Sequence, residues 1–462
     1  MHNGRYSSHK YLGQHGPFES SKNYLAIMKK TISVLLFFAA LILSACSESE
    51  GFGYGESPGK KTPFRNHSNA ILIQWHAVAF EAMQTPAYDP MIGSRIFAMV
   101  HLAMHDALNG IAPVFETYSL QQQDKKADPI AAVSAAAYTV LVKSFPDKKE
   151  QLDSALAQAV ADIKSPEAKE RGLTLGRIAG EGIFALRSND GAFQNPIAEI
   201  NNPQEPGLYQ PVPPTPFVYA PFWATLKPFG LESPEQFRIA AMPAINSAQY
   251  TVDFNEVKLK GSKENSTRTA EETTIAKFWY EFSEIGWNRV AATAAIDKKL
   301  DLLSTARLFA LVNIALADSY IAGWDSKFHY NFWRPYTAVR VAATDGNVNT
   351  SEDASWEPLM NTPPVHDYPS THSTLGNAAA VVLNEIIGNN IGFTMSSTSA
   401  EPVNSTRSFV SFDQAALENA DSRVFAGIHF RFSCEGGLDL GKRIGDWTVA
   451  HHLKPKANGK GL

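Results

Sequence analysis

Apolar residues recur at helical spacing along most of this chain, and no other feature constrains its fold as much. Ile96, Phe97, Val100, Met104, Ala107 and Leu108 fall on one helical face, as do Leu152, Ala155, Leu156, Ala159, Val160 and Ile163. The end signals agree. Ser165-Pro166-Glu167 reads as an N-cap, a proline at the first helical position and an acid in the first turn. Thr269 with Glu272 forms a capping-box pattern ahead of Ile275 and Phe278. Alternating runs of Val, Ile and Thr closed by hairpin turns are scarce. The expected fold class is all-α, built of helical bundles.

One stretch breaks the period. Nine of the 27 prolines lie between Pro203 and Pro234, interleaved with Phe217, Tyr219, Phe222 and Trp223. Proline at that density cannot continue a helix or a central strand, and the aromatics favour an extended strap packed on the bundles over a loose linker. The expected organisation is an N-terminal helical half over 65–202, the strap over 203–234 and a C-terminal helical half over 235–462. No internal repeat is visible in the sequence.

The amino end reads as an address. Met28-Lys29-Lys30, a candidate start, precedes an apolar run from Ile32 to Leu43 that is short for a membrane span, and then Leu43-Ser44-Ala45-Cys46. The last four residues resemble the lipobox of bacterial lipoproteins. On that reading residues 1–45 are a leader, Cys46 is lipidated and 46–64 form a flexible tether. The implied setting is an exported lipoprotein held on the periplasmic or cell-surface side of a membrane. Ser47, where Asp would favour inner-membrane retention, points to the outer membrane. Losing five positive charges and one negative takes the formal net charge from −5 to −9, which excludes a general attraction to nucleic acid. Of the two cysteines only Cys434 is then left as a thiol, so no intrachain disulfide is expected.

Three short segments in the second half carry chemistry. Lys327 and Arg334, the latter followed by Pro335, are two turns apart on a continuous helix and would share one face. Pro369-Ser370-Thr371-His372 stands at the head of an apolar helix, where a hydroxyl and free backbone N–H groups make an anion site. Ser422-Arg423 is followed six residues later by His429. Three cations, a hydroxyl, helix-end amides and two imidazoles suit a tetrahedral oxyanion, with charge stabilisation, a nucleophile and an acid–base group in one set.

In this order the three motifs resemble the signature of the type-2 phosphatidic acid phosphatase superfamily, which shares its active site with the vanadium-dependent haloperoxidases. Similarity to bacterial haloperoxidase-like proteins runs from about Asn66 through the strap. The resemblance implies that Lys327, Arg334 and Arg423 bind oxyanion oxygens with the Ser370 hydroxyl and the Thr371 N–H, and that His372 is the acid–base residue. His429 would be the vanadium ligand of a haloperoxidase using vanadate, hydrogen peroxide and halide. In a phosphomonoesterase it would instead be the nucleophile that forms a phosphohistidine on a phosphate ester. A non-catalytic phosphate- or vanadate-binding lipoprotein is the third reading. Fuller similarity through the first half favours the haloperoxidase.

Two positions depart from the pattern. Thr371 stands where glycine is usual, and its branched side chain crowds the pocket. Ser433 stands where superfamily phosphatases commonly carry an Asp that orients the histidine, leaving Glu435 or Asp439 as candidate replacements. Trp324 matches an aromatic on the halide side of some haloperoxidases, or else packs in a helix interface; Val365 leaves the halide undecided. His101, His105 and Asp106 lie on a strongly apolar helix and are expected in the core, as is Cys434.

Overall fold

The computed structural model describes residues 63–65, 67–84 and 88–456. The leader, Cys46 and the tether up to residue 62 lie outside the described residues. The first half contains α1 (Ala70–Met83), α2 (Pro90–Ile111), α3 (Pro129–Ser144), α4 (Lys149–Ala159) and α5 (Pro166–Leu186). After an irregular segment come α6 (Ala248–Lys260), α7 (Ala270–Phe278), α8 (Ser283–Asp297), α9 (Leu302–Tyr330), α10 (Pro335–Arg340), α11 (Thr371–Ile387), α12 (Phe412–Phe425) and α13 (Arg431–His451). The described strands form two small antiparallel ladders. In one, β1 (Ile197–Ala198) pairs with β2 (Val218–Tyr219), placing Ile197 opposite Tyr219; in the other, β3 (Phe393–Ser396) pairs with β4 (Thr406–Phe409). The fold is therefore mostly helical, a multi-helix bundle.

Helix α9 is apolar on every face, and a helix of that kind must be enclosed. By length and composition it could cross a membrane, but here it is almost wholly buried, packed on α2 of the first half and α11 of the second. Leu308, Leu311, Ile314 and Leu316 are fully enclosed, each contributing about 1.5–3 kcal/mol of apolar burial. The strap is tied to the same helix. The buried Asp318 carboxylate accepts the backbone N–H groups of Phe229 (2.6 Å), Gly230 (2.7 Å) and Leu231 (2.9 Å), while the strap residues Tyr209 and Trp223 are themselves buried.

Two helix pairs use one packing solution. On α5, Gly172, Gly176 and Gly180 face α3, where any Cβ would collide with Asp128 O, Ala132 O and Ala136 O respectively. On α13, Gly437, Gly441 and Gly445 face α11 and the carbonyls of Ser370, Thr374 and Ala378 in the same way. The correspondence extends to the helix heads. Asp128 N donates to Ala168 O (2.9 Å) four residues before the first glycine triad, and Ser370 N donates to Ser433 O (2.8 Å) four residues before the second.

The expectation that Lys327 and Arg334 share a helix face is overturned. Helix α9 stops at Tyr330, where Asn331 takes a left-handed conformation (φ 50°), tolerable for Asn. Arg334 precedes Pro335, which disfavours a helical residue before it, and so becomes the extended N-cap of α10.

Candidate oxyanion site

Five chain segments bring the three motifs together. The last turn of α9 carries Lys327, the cap of α10 carries Arg334, and Ser370–His372 open α11. Arg423 lies in the last turn of α12, and the link to α13 carries His429. That link turns on Gly427 (φ +78°), where a Cβ would also overlap the backbone of Gly261, so only glycine fits and the chain is free to aim His429 inward.

Each cation is buried and anchored differently. Lys327 Nζ donates to His366 O (2.9 Å), Asp367 O (2.9 Å) and Pro369 O (2.6 Å). These three bonds saturate an ammonium. Lys327 thus stitches the loop ahead of Ser370, and direct donation to an oxyanion requires one bond to be exchanged. Arg334 Nε donates to Val365 O (2.7 Å) and Nη1 to Ile428 O (2.8 Å), with Nη1 also 3.0 Å from His429 Nε2. Arg423 Nη1 donates to Trp279 O (2.9 Å), its guanidinium lies 5.7 Å from the Tyr280 ring centre, and its buried Nε has no protein partner.

Ser370 caps α11, with Oγ accepting from Ser373 Oγ (3.0 Å), which leaves its own hydroxyl hydrogen free to donate. Thr371 is accommodated beside a bare stretch of α9: a Cβ on Gly323 would meet only Thr371 Oγ1, at 4.0 Å. His372 Nε2 lies 3.1 Å from Glu281 O, an acceptor, so that nitrogen carries the proton and Nδ1 the lone pair. His429 Nδ1 is 2.9 Å from Asp367 Oδ1.

Burial dominates the electrostatics. It lowers the proton affinity of all three cations, Arg423 to about 10. His372 is held neutral by burial and then by Arg423, His429 by burial and then by Arg334, both well below the usual imidazole range. Asp367 is pushed up to about 6 by burial, against the pull of Arg334 and the Ser433 hydroxyl.

Asp367 was not picked out by any motif. It stands three residues before Ser370, and only the fold brings it to His429. The suggested replacements are corrected accordingly: Glu435 and Asp439 are both exposed, and Asp439 pairs with Arg443 at 2.8 Å. The remaining sequence candidates make other contacts. Trp324 is buried between α9 and the strap, its Nε1 donating to Tyr219 O (3.2 Å) and its ring meeting Tyr320 edge-on. His101 is stacked on Phe309 and joined to His76 (3.1 Å) in the core, and His105 is bonded to Asn109 (3.1 Å). Cys434 is buried, its thiol pushed up to about 12. Among the described residues no group of three His, Cys, Asp or Glu suits a metal cation.

In sequence and in fold this chain is similar to vanadium haloperoxidases. Residues 307–457 match the VCPO second helical-bundle domain. Vanadium chloroperoxidase of Curvularia inaequalis is 27% identical across 82% of this chain and 81% of its own length. The crystal structure of a bacterial vanadium-dependent iodoperoxidase superposes with a TM-score of 0.74 at 27% identity, covering 86% of this chain and all of the other. A bacterial vanadium-dependent chloroperoxidase in its holo form gives 0.66 at 18% identity over 82% and 96%, a likeness of fold.

Proposed function

We propose that this protein is a vanadate-dependent haloperoxidase, oxidising halide with hydrogen peroxide at His429. One observation carries the reading. Lys327, Arg334 and Arg423 are buried around His429, and among the described residues Asp367 is the only carboxylate in contact with them, so two positive charges lack a counter-charge. Buried charge needs compensation, and a tetrahedral oxyanion fits the set. The free Nε of Arg423 and the hydroxyl hydrogen of Ser370 supply donors, and the head of α11 adds its partial positive charge. Similarity to the chloroperoxidase and iodoperoxidase above supports vanadate as that oxyanion.

Vanadate, when bound, supplies the peroxide-activating and halide-oxidising chemistry. The chain supplies the rest. His429 would offer Nε2, while Arg334 and Arg423, and Lys327 on exchange of one of its carbonyl bonds, would hold oxyanion oxygens. His372, neutral and fixed through Nε2, holds or moves a proton at Nδ1. The near-complete burial of Lys327, Arg334, Ser370 and Arg423 keeps bulk water from the set.

A phosphomonoesterase gains from one observation: Asp367 provides beside His429 the carboxylate that Ser433 does not, which suits a histidine nucleophile. A paired assay separates the two. Halide oxidation with vanadate and peroxide, suppressed by phosphate, supports the haloperoxidase; p-nitrophenyl phosphate hydrolysis suppressed by vanadate supports the phosphatase. His372→Ala abolishes either activity, whereas a binding protein has none to lose. The exported, lipid-anchored setting belongs to the same proposal and rests on residues 28–47; a mass spectrum with an unlipidated Cys46 peptide contradicts it.

A further inference from the structure

Asp367 is fully buried and its carboxylate is divided between two neighbours. Oδ2 accepts from Ser433 Oγ, while Oδ1 is left without an aligned donor and stands in ion-pair contact with His429 Nδ1 (2.9 Å) and, farther off, Arg334 Nη1 (3.7 Å). The backbone is pinned at both ends, Asp367 N donating to Phe332 O (3.0 Å) and Asp367 O accepting from Lys327 Nζ (2.9 Å). Arg334 Nη1 lies 3.0 Å from Nε2 and 3.4 Å from Nδ1, so Nε2 is its nearer partner on the ring. A guanidinium can only donate and a carboxylate can only accept, so the nearer neighbours of the two ring nitrogens favour the lone pair on Nε2 and the proton on Nδ1, facing Asp367.

An imidazole that offers Nε2 to an electrophilic centre needs that tautomer, and a carboxylate on the Nδ1 proton both fixes the ring and strengthens the lone pair. We propose that Asp367 is the positioning residue for His429, holding its Nδ1 proton, and that Ser433 acts through Asp367 by fixing the second carboxylate oxygen. The phosphatase pattern places its acid four residues beyond the histidine. Here that position holds a hydroxyl, and the carboxylate reaches the same nitrogen from the segment ahead of Ser370. The inference rests on the reading of His429 as the atom that meets the oxyanion.

Two measurements test it without relying on turnover. Nitrogen-15 spectra of the histidine-labelled, oxyanion-free protein, assigned with His429→Gln, report the tautomer. Equilibrium dialysis against orthovanadate and against phosphate reports affinity. The two anions are alike in shape and charge, but only vanadium takes up the imidazole lone pair, so the ratio of affinities follows His429 rather than the pocket as a whole. The wild type is expected to carry its proton on Nδ1. Asp367→Ala is expected to move it towards Nε2 and to lower the vanadate-to-phosphate affinity ratio about tenfold. Adding Ser433→Asp should recover most of both effects. Asp367→Asn preserves the side-chain shape if the alanine variant does not fold, and should lower the ratio in the same direction. A wild-type ring protonated on Nε2 overturns the proposal. So does an unchanged affinity ratio in a folded Asp367 variant, or a folded double variant without recovery. If the tautomer and ratio respond as expected while halide oxidation is absent, the haloperoxidase reading fails and the role of Asp367 stands.

Discussion

The α3–α5 pair and the α11–α13 pair are built alike but only one is surrounded by buried cations, and the difference is concentrated at their heads. Both use three glycines at intervals of four to let one helix seat on the carbonyls of the other, and both tie the N-cap amide of the first helix to the first turn of the second. At the head of α3 the cap is Asp128, whose carboxylate accepts from Ala131 N (2.9 Å), so the positive helix end meets a negative charge of its own chain. At the head of α11 the cap is Ser370, neutral, with three buried cations close by. A similar scaffold is therefore capped by a negative charge in one half and by a neutral hydroxyl among cations in the other.

The strongest test of the shared scaffold is Gly176→Ala against Gly441→Ala. Each places a methyl group on a facing carbonyl, and each should lower unfolding free energy by about 2–3 kcal/mol in denaturant titrations. Unequal costs would break the parallel. Transplanting the first cap onto the second, Ser370→Asp, should keep α11 capped but weaken phosphate or vanadate binding at least about 100-fold, because a carboxylate then occupies the anion site. A calorimetric titration that finds wild-type affinity would contradict the contrast.

Smaller effects separate the heads by pH. His366 is buried between Tyr209 and Phe328 with its pKa lowered from 6.5 to about 3, by burial first and then by Lys327. Between those values only the unfolded chain takes up the proton, so stability falls as pH drops below 6.5. Relative to His366→Phe, the wild type should lose about 2 kcal/mol between pH 7 and pH 5. The residue at the matching place before α3, Asp124, makes a half-buried pair with Arg171 that holds its carboxylate below the usual range, so Asp124→Asn should leave the pH dependence between pH 7 and pH 5 unchanged. Asp128→Ala should cost about 1 kcal/mol as a lost cap, with oxyanion affinity unchanged.

The helical class and many helix ends were legible because they are local. Ser165 caps α5 with Pro166 at its first position, and the Thr269–Glu272 capping box forms in full. The motif residues could be named because Lys327, Arg334, Ser370, His372, Arg423 and His429 keep a recognisable order. What stayed hidden depends on the third dimension. Asp367 meets His429 only because Lys327 pins its loop and Gly427 turns the chain after α12. The likeness of the two helix pairs is invisible as a repeat because such packing asks only for small residues at the crossing, and everything else has diverged. The shared Lys–Arg face failed because Asn331 and Pro335 end the helix between them, a local signal outweighed in the reading by spacing.

One oxyanion held at the heads of α11 and α13 by His429 and the cations around it is what the proposed function requires. Vanadate titration of the wild type, His429→Ala and Arg423→Ala, followed by the vanadium retained per chain, tests it most directly. One vanadate per wild-type chain is expected, displaced by phosphate, with retention lost in His429→Ala and weakened in Arg423→Ala. Absence of binding in the wild type, or retention unaffected by both substitutions, would contradict it.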